Sequence, residues 1–338
     1  MLKVSVVILN WNGAEMLRKF LPSVCAYSQA EGIEVVVADN ASTDSSLAVV
    51  CQEFPGVRTI QMDKNYGFAD GYNKALAQVE AEYVVLLNSD VEVTPNWLQP
   101  LIAYMDANPK VAACQPKLRS WRNKPSFEYA GACGGFMDRF GYPYCRGRIL
   151  GTVEEDKGQY DTVTPIFWAT GAALFIRLDA YRQVGGLDGR FFAHMEEIDL
   201  CWRLKSRGME IVCIPQSTVY HVGAATLKES PRKTFLNFRN NLLMLYKNLP
   251  QQDLRTVMFV RSLLDYVAAF QYLVKLDWGN FVAVFKARWA FAKMKPEYEA
   301  VRKENLSLAV QNRFPGWTPH FLIWNYYARG KRVFSSFE

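Results

Sequence analysis

The chain has seven cysteines but no Cys-x-x-Cys pair. Cys25, Cys51, Cys114, Cys133, Cys145, Cys201 and Cys213 form an odd set, and several sit inside apolar runs. That usage points to core thiols in a reducing compartment. No Gly-x-Gly-x-x-Gly follows the first apolar run, which disfavours an NAD-binding Rossmann enzyme. The segment after that run, Asn10 to Met16, also lacks the glycine-rich basic phosphate loop a nucleotidyltransferase would want, which counts against that class. No stretch approaches 18 uninterrupted apolar residues, and Val257 to Val274 is broken by Arg261 and Asp265. Met1-Leu2-Lys3 leads directly into a strand with no cleavage site. Internal repeats and low-complexity segments are also missing. These absences lead to the expectation of a cytosolic protein, with attachment to a membrane surface left open.

Half of the 338 residues are apolar, enough for a sizeable core and too many for wholesale disorder. The length suits one large domain or two smaller ones. Charge is unevenly placed. Residues 1–225 hold 21 Lys+Arg against 25 Asp+Glu, a balance of −4, whereas residues 226–338 hold 18 against 8, or +10. The same C-terminal third contains 21 aromatic residues. A basic, aromatic tail points to an anionic surface such as a membrane or a lipid diphosphate. A helical appendage with solvated lysines accounts for it equally well. In particular, Trp278, Phe281, Phe285 and Trp289 recur every three to four residues beside Lys286, Arg288 and Lys293.

Residues 1–117 alternate strand and helix signals. Val4–Leu9 is a continuous β-branched run, as expected of a strand buried on both faces. Further strands are expected at Val35–Ala38, Val57–Gln61, Tyr83–Leu87 and Val111–Pro116. Helices are expected over Glu15–Tyr27, from a Ser42-Thr43-Asp44 cap to Phe54, over Gly67–Val79, and over Pro95–Asn108. Such alternation predicts a mostly parallel sheet flanked by helices, binding ligands at the strands' carboxyl ends. From Leu118 to Thr164 the pattern dissolves, which suggests a long excursion acting as a binding loop or lid. A strand over Phe167–Ile176, helices over Asp179–Val184 and Ile198–Ser206, and strands over Ile211–Ile214 and Val219–Val222 follow. Beyond about Ala225 only helical patterns remain, so the expected division is a catalytic unit at 1–225 and a helical extension at 226–338.

Two acidic clusters carry the chemistry. Asn88-Ser89-Asp90 ends a buried strand, where a carboxylate can hold a divalent cation and a diphosphate. Glu196, Glu197 and Asp199 open a helix, where an acid can activate an acceptor hydroxyl. Together with VSVVILNWNG (Val4–Gly13), VVVADNASTD (Val35–Asp44) and NYGFADGYN (Asn65–Asn73), these motifs resemble family 2 of the inverting glycosyltransferases. The resemblance covers roughly residues 3–225 and is nearest to rhamnosyl- and galactofuranosyltransferases of bacterial surface polysaccharides.

The resemblance implies an α/β fold of the GT-A type (Rossmann-like) with a C-terminal helical extension, and a nucleotide-diphospho-sugar donor such as dTDP-rhamnose or a UDP-sugar. Asp39 would face the nucleotide base, although Asp-Asn also suits a plain turn. Asn10, Asn12, Asn65, Gly67, Asp70, Asn73, Asn88 and Ser89 would line the donor, the glycines letting backbone N–H groups approach a phosphate. A tight turn explains that small-residue loop as well. Asp90 and His221 would hold a cation, Mn2+ in preference to Mg2+ because it accepts mixed O and N ligands. Asn88 departs from the family's acid at that position and brings no charge.

The catalytic base falls on Glu197, with Glu196 the alternative and Asp199 orienting either the base or the next helix; a helix N-terminus also favours acids without any catalytic role. Trp168, Thr170 and Gly171 would contact the acceptor, with Trp168 equally suited to the core. Arg239 could reach the diphosphate or simply be solvated. The expected partners are the donor, a glycan or polyprenyl-diphosphate-linked acceptor, an anionic membrane surface, and a second copy through the C-terminal helices, with no nucleic acid. A nucleotidyltransferase remains open, as does a catalytically silent nucleotide-sugar-binding protein. Asn88 favours the silent protein, and the joint presence of Asp90, Glu197 and His221 speaks against it.

Overall fold

The structure, a computed structural model, describes residues 2–223 and 230–337, so the expected boundary at 225/226 lies outside the described residues. The first half runs β1 (Leu2–Asn10), α1 (Ala14–Tyr27), β2 (Ile33–Asp39), α2 (Ser46–Glu53), β3 (Arg58–Gln61), α3 (Gly67–Leu76), β4 (Ala81–Asn88), β5 (Val91–Val93), α4 (Gln99–Ala107) and β6 (Val111–Ser120). The short strands β7 (Gly135–Met137), β8 (Pro143–Cys145), β9 (Arg148–Ile149), β10 (Thr152–Val153) and β11 (Thr164–Pro165) follow. Then come β12 (Ala173–Arg177), α5 (Leu178–Gln183), α6 (Glu196–Ser206) and β13 (Glu210–His221). The helices α7 (Pro231–Asn248), α8 (Gln251–Val274), α9 (Trp278–Met294), α10 (Glu299–Ser307) and α11 (Leu322–Tyr327) close the chain.

The central sheet has the order β3-β2-β1-β4-β12-β6-β13-β11, with β5 paired to β13. The pairings β1–β2, β1–β4, β2–β3 and β6–β13 are parallel. Val4, Val6, Val7 and Ile8 are buried by helices on both faces, which is why this strand reads as an unbroken apolar run. Register aligns the carboxyl ends: Asn10 lies opposite Asp39, and Leu9 opposite Asn88. Three strands therefore deliver polar residues to one edge.

Several local expectations change. The strand expected over Phe167–Ile176 forms only at β12, which runs antiparallel to both β4 and β6. The two strands expected at 211–214 and 219–222 are one strand, β13, irregular between Ile214 and Thr218. α2 begins at Ser46 rather than on a Ser42-Thr43-Asp44 cap. Asp44 accepts from the Ser46 N–H at 3.0 Å and from the Ala14 N–H at 3.1 Å, so it ties two helix starts together.

The excursion over 118–165 is not an open lid. Its strands β7 to β10 form a four-stranded antiparallel sheet with Cys133, Cys145 and Ile149 fully buried. Arg146 donates to the carbonyls of Cys133, Tyr160 and Thr162, replacing missing backbone pairing. The C-terminal residues pack onto this sheet, with the Phe334 ring 4.8 Å from Phe136 and 5.7 Å from Tyr160.

α7 is mostly buried, whereas α8 and α9 form a hairpin with a bare outer face. α8 is long and apolar enough to cross a membrane by length and composition. Its Arg261 and Asp265 turn inward, and Asp265 receives Arg288 of α9 at 2.6 Å. Phe259, Leu263, Val267, Phe270 and Val274 on α8, with Trp278, Phe285 and Trp289 on α9, face outward. Tyr266 and Phe285 meet at 5.7 Å across the hairpin, making the exposed apolar strip continuous.

Candidate active site

At the end of β4 the chain turns through Ser89 and Asp90 into β5, which pairs antiparallel with the end of β13 so that Val91 lies opposite His221. This pairing brings together residues 131 apart in sequence: Asp90 Oδ1 lies 3.1 Å from His221 Nε2. The Asn88 amide nitrogen approaches the same ring nitrogen at 3.4 Å. On its other side, His221 Nδ1 lies 3.3 Å from Glu128 Oε1. All three of Asp90, His221 and Glu128 are buried. Burial opposes a charged imidazole, but Glu128 and Asp90 together outweigh it and push the His221 pKa up to about 10.

These residues fit a divalent cation. Bonds of about 2.1 Å in octahedral geometry place neighbouring ligands about 3 Å apart, close to the 3.1 Å between Asp90 and His221. No group of three or more His, Cys, Asp or Glu that could hold a metal is found among the described residues, so a cation held by Asp90 and His221 would draw further ligands from substrate or water.

The second acidic cluster sits on a strained turn. Phe192, His194 and Met195 have φ of 66°, 71° and 73°, unusual for residues with side chains. The turn is latched from α7: Asn240 donates to the carbonyls of Phe191, Ala193 and His194 at 3.0, 2.8 and 2.8 Å. It is also latched from α3, where Phe68 N–H donates to Phe192 O at 2.8 Å. Gly67 allows this approach, because a Cβ there would lie 2.6 Å from the Phe192 ring. α6 then opens at Glu196. Burial pushes the Glu197 carboxyl up to about 7. Glu196 is more deeply buried, and burial plus its neighbour's charge raise its pKa well above the usual range. Neither Oε2 has a hydrogen-bond partner in the protein. Glu197 packs over Gly171, where a Cβ would stand 3.8 Å from its own.

The donor-side candidates divide. Asp39 Oδ1 accepts from Asn10 at 3.2 Å and Oδ2 from the Ser42 N–H at 2.9 Å, which leaves lone pairs on both oxygens. Ser89 lies near Gly13, beneath the α1 N-terminus. Asn65 accepts from the Gly67 N–H at 2.8 Å and from Asn40 at 3.1 Å, so it shapes the turn into α3. Asn12 is committed to the loop after β2, accepting from the Thr43 N–H at 2.7 Å. Asn73 is also committed, donating to Leu187 O and accepting from Tyr181 and the Leu187 N–H. Asp70 lies against Gly189 and receives Asn73 at 3.3 Å.

The expectations for Trp168, Thr170 and Arg239 are corrected, and Asp199 orients a helix rather than Glu197. Trp168 is a core residue, 3% exposed, stacked on Gly135 and donating to Phe136 O, so its face is not offered to a sugar. Thr170 is likewise buried, its N–H held by Gln115. Asp199 turns away from the glutamates. It receives Arg203 and Lys247 on Oδ2 and Asn248 on Oδ1, binding α6 to α7. Asp199→Ala should cost about 3–5 kcal/mol in urea denaturation, because it leaves two buried cations short of a carboxylate. A loss below about 1 kcal/mol would show the cluster is not structural. Arg239 is neither solvated nor aimed at a phosphate site: it donates to Arg190 O and Phe191 O on the strained turn.

Two residues escaped the sequence reading. Asn240 had no local signal, and Glu128 was an isolated acid in a segment without period.

Comparison with known proteins places this geometry in context. The pattern of glycosyl transferase family 2 matches residues 5–150, and that of glycosyl transferase family group 2 matches residues 83–296. An N-acetylglucosaminyl-diphospho-decaprenol L-rhamnosyltransferase of Mycobacterium tuberculosis is 27% identical over 245 residues, covering 67% of this chain and 78% of its own length. Rhamnosyltransferase WbbL of Escherichia coli K12 is 24% identical over 225 residues, covering 64% and 83%. Among solved structures, mannosyltransferase PcManGT of Pyrobaculum calidifontis, in complex with GDP-Man and Mn2+, superposes with a TM-score of 0.52 at 15% identity. That match covers 90% of this chain and 87% of the other.

Proposed function

Since the chain belongs to the glycosyl transferase family 2 group, we propose that it is an inverting, cation-dependent glycosyltransferase using a nucleoside-diphospho-sugar, with a polyprenyl-diphosphate-linked glycan as acceptor. The observation that carries this reading is Glu197, which packs over Gly171 with one carboxyl oxygen free of protein partners and a pKa that burial pushes up to about 7. A base with pKa near the working pH suits removal of a hydroxyl proton.

In this mechanism Glu197 Oε2 accepts the acceptor's hydroxyl proton as that oxygen attacks the anomeric carbon. The nucleoside diphosphate leaves from the opposite face of the sugar. Asp90 and His221 would hold a divalent cation, Mn2+ in preference to Mg2+, which would supply positive charge against the departing diphosphate. Asp39 offers its remaining lone pairs to the imide N–H of uracil or thymine. Glu196 is the more deeply buried of the pair, and burial with its neighbour's charge disfavours its ionised form, which leaves Glu197 as the base. The names of the rhamnosyltransferase relatives favour a deoxysugar donor such as dTDP-rhamnose, with a UDP-sugar the second choice. Incubating the protein with dTDP-rhamnose or UDP-sugars, Mn2+ and a lipid-linked acceptor should yield product of inverted anomeric configuration by NMR. Retained configuration, or sugar binding without transfer, would overturn the reading.

The α8–α9 face supports a peripheral site on the cytoplasmic membrane surface. Its exposed aromatics lie beside the exposed cations Lys275, Lys286 and Lys293. Aromatic rings settle in the interface, while each cation near anionic head groups contributes about 1 kcal/mol. Vesicles containing anionic lipid should capture the full chain in flotation at low salt and release it at high salt. Absence of capture, with a dimer in sedimentation, would assign the strip to a second copy instead.

A further inference from the structure

We propose that Glu128 is the positioning residue of the cation site, fixing the His221 ring so that Nε2 presents its lone pair beside Asp90. The proposal rests on reading Asp90 and His221 as the ligands. Glu128 lies in the excursion after β6, and its backbone N–H donates to Leu118 O at 3.0 Å. One carboxylate oxygen is fixed locally, Oε2 accepting from the Ala130 N–H at 2.6 Å. The other, Oε1, stands 3.3 Å from His221 Nδ1. Gly223 keeps this approach clear: its φ is +67°, and a Cβ there would press to 3.0 Å from Glu128 Oε1.

Glu128 is 3% exposed, and among the described residues His221 is the cation it faces within ion-pair distance. A carboxylate this deeply buried is tolerated only against a charged or strongly donating partner. His221 therefore stands between two carboxylates, one for each ring nitrogen. When Nδ1–H is donated to Glu128, the tautomer is fixed and Nε2 becomes a more basic ligand. An outer carboxylate of this kind typically contributes about 10- to 100-fold in metal affinity. It also gives the excursion a role besides lining an acceptor: it supplies the support that the uncharged Asn88 does not.

The test is direct Mn2+ titration of the full chain in the presence of UDP, followed by electron paramagnetic resonance of free Mn2+. Glu128→Gln should weaken Mn2+ binding by about 10- to 100-fold, with UDP binding in chelator and thermal unfolding unchanged. In a His221→Ala background the same substitution should cost nothing further, because its effect passes through the ring. The nitrogen coupling seen by spin-echo spectroscopy on bound Mn2+ should disappear in His221→Ala and change in Glu128→Gln. Wild-type Mn2+ affinity in Glu128→Gln, with affinity lost in His221→Ala, would overturn the proposal and leave the ligand assignment standing. An equal loss from Glu128→Gln in both backgrounds would also overturn it. Unchanged affinity in Asp90→Ala and His221→Ala would remove the ligand assignment itself, and the proposal with it.

Discussion

Asp90→Ala should abolish transfer and Mn2+-dependent nucleotide binding while leaving the protein folded. Asp90 supplies the one acid at the end of β4, since Asn88 brings no charge. The charge stabilisation a bound cation provides is several kcal/mol, on the order of 10³-fold in rate. Folding should survive because His221 keeps Glu128 on its other nitrogen, so no buried charge is stranded. The measurements are kcat with a nucleotide-sugar and thermal unfolding of the same preparation. Normal turnover by this variant in the presence of chelator would remove the cation from the mechanism.

Glu197→Gln should lower kcat by on the order of 10²–10⁴ with little change in donor affinity, because proton removal is lost while the site's shape is kept. The pH profile adds a second reading. The base works only when ionised, and its pKa is pushed up to about 7 by burial. The wild-type rate should therefore rise with pH through about 7 and level off above it. In the glutamine variant this limb should vanish. Glu196→Gln should matter far less, since Glu196 is the more deeply buried of the two, and burial with its neighbour's charge disfavours its ionised form. Reversed effects at the two positions would move the base one residue toward the N-terminus.

The sequence made the carboxyl edge legible because β-branched runs such as Val4–Leu9 mark buried strands, and their ends deliver Asn10, Asp39 and Asn88 in register. Strand direction was harder to read: nothing in Ala173–Arg177 says that it runs antiparallel between β4 and β6. Motif order brought Asp90 and His221 under suspicion together, although only β5–β13 pairing makes them neighbours. Side-chain commitments were the illegible part. The partners that claim Asp199 lie 48 and 49 residues away on α7, and Trp168 is buried by Gly135 from a segment without period. Local sequence shows what a side chain can do, and distant packing decides which of those options is taken.

The latch on the turn before α6 bears on how this protein can be dissected. Phe192, His194 and Met195 occupy backbone conformations costing of order 1–3 kcal/mol each, and Asn240 of α7 holds the carbonyls of Phe191, Ala193 and His194 in the same turn. The segment carrying Glu196 and Glu197 thus takes its shape from a helix that the expected division at 225/226 would separate from it. A fragment cut after β13 would keep Asp39, Asp90, Glu128, Glu196 and Glu197, yet lose the clamp that aims the last two. The minimal working enzyme accordingly extends at least through α7.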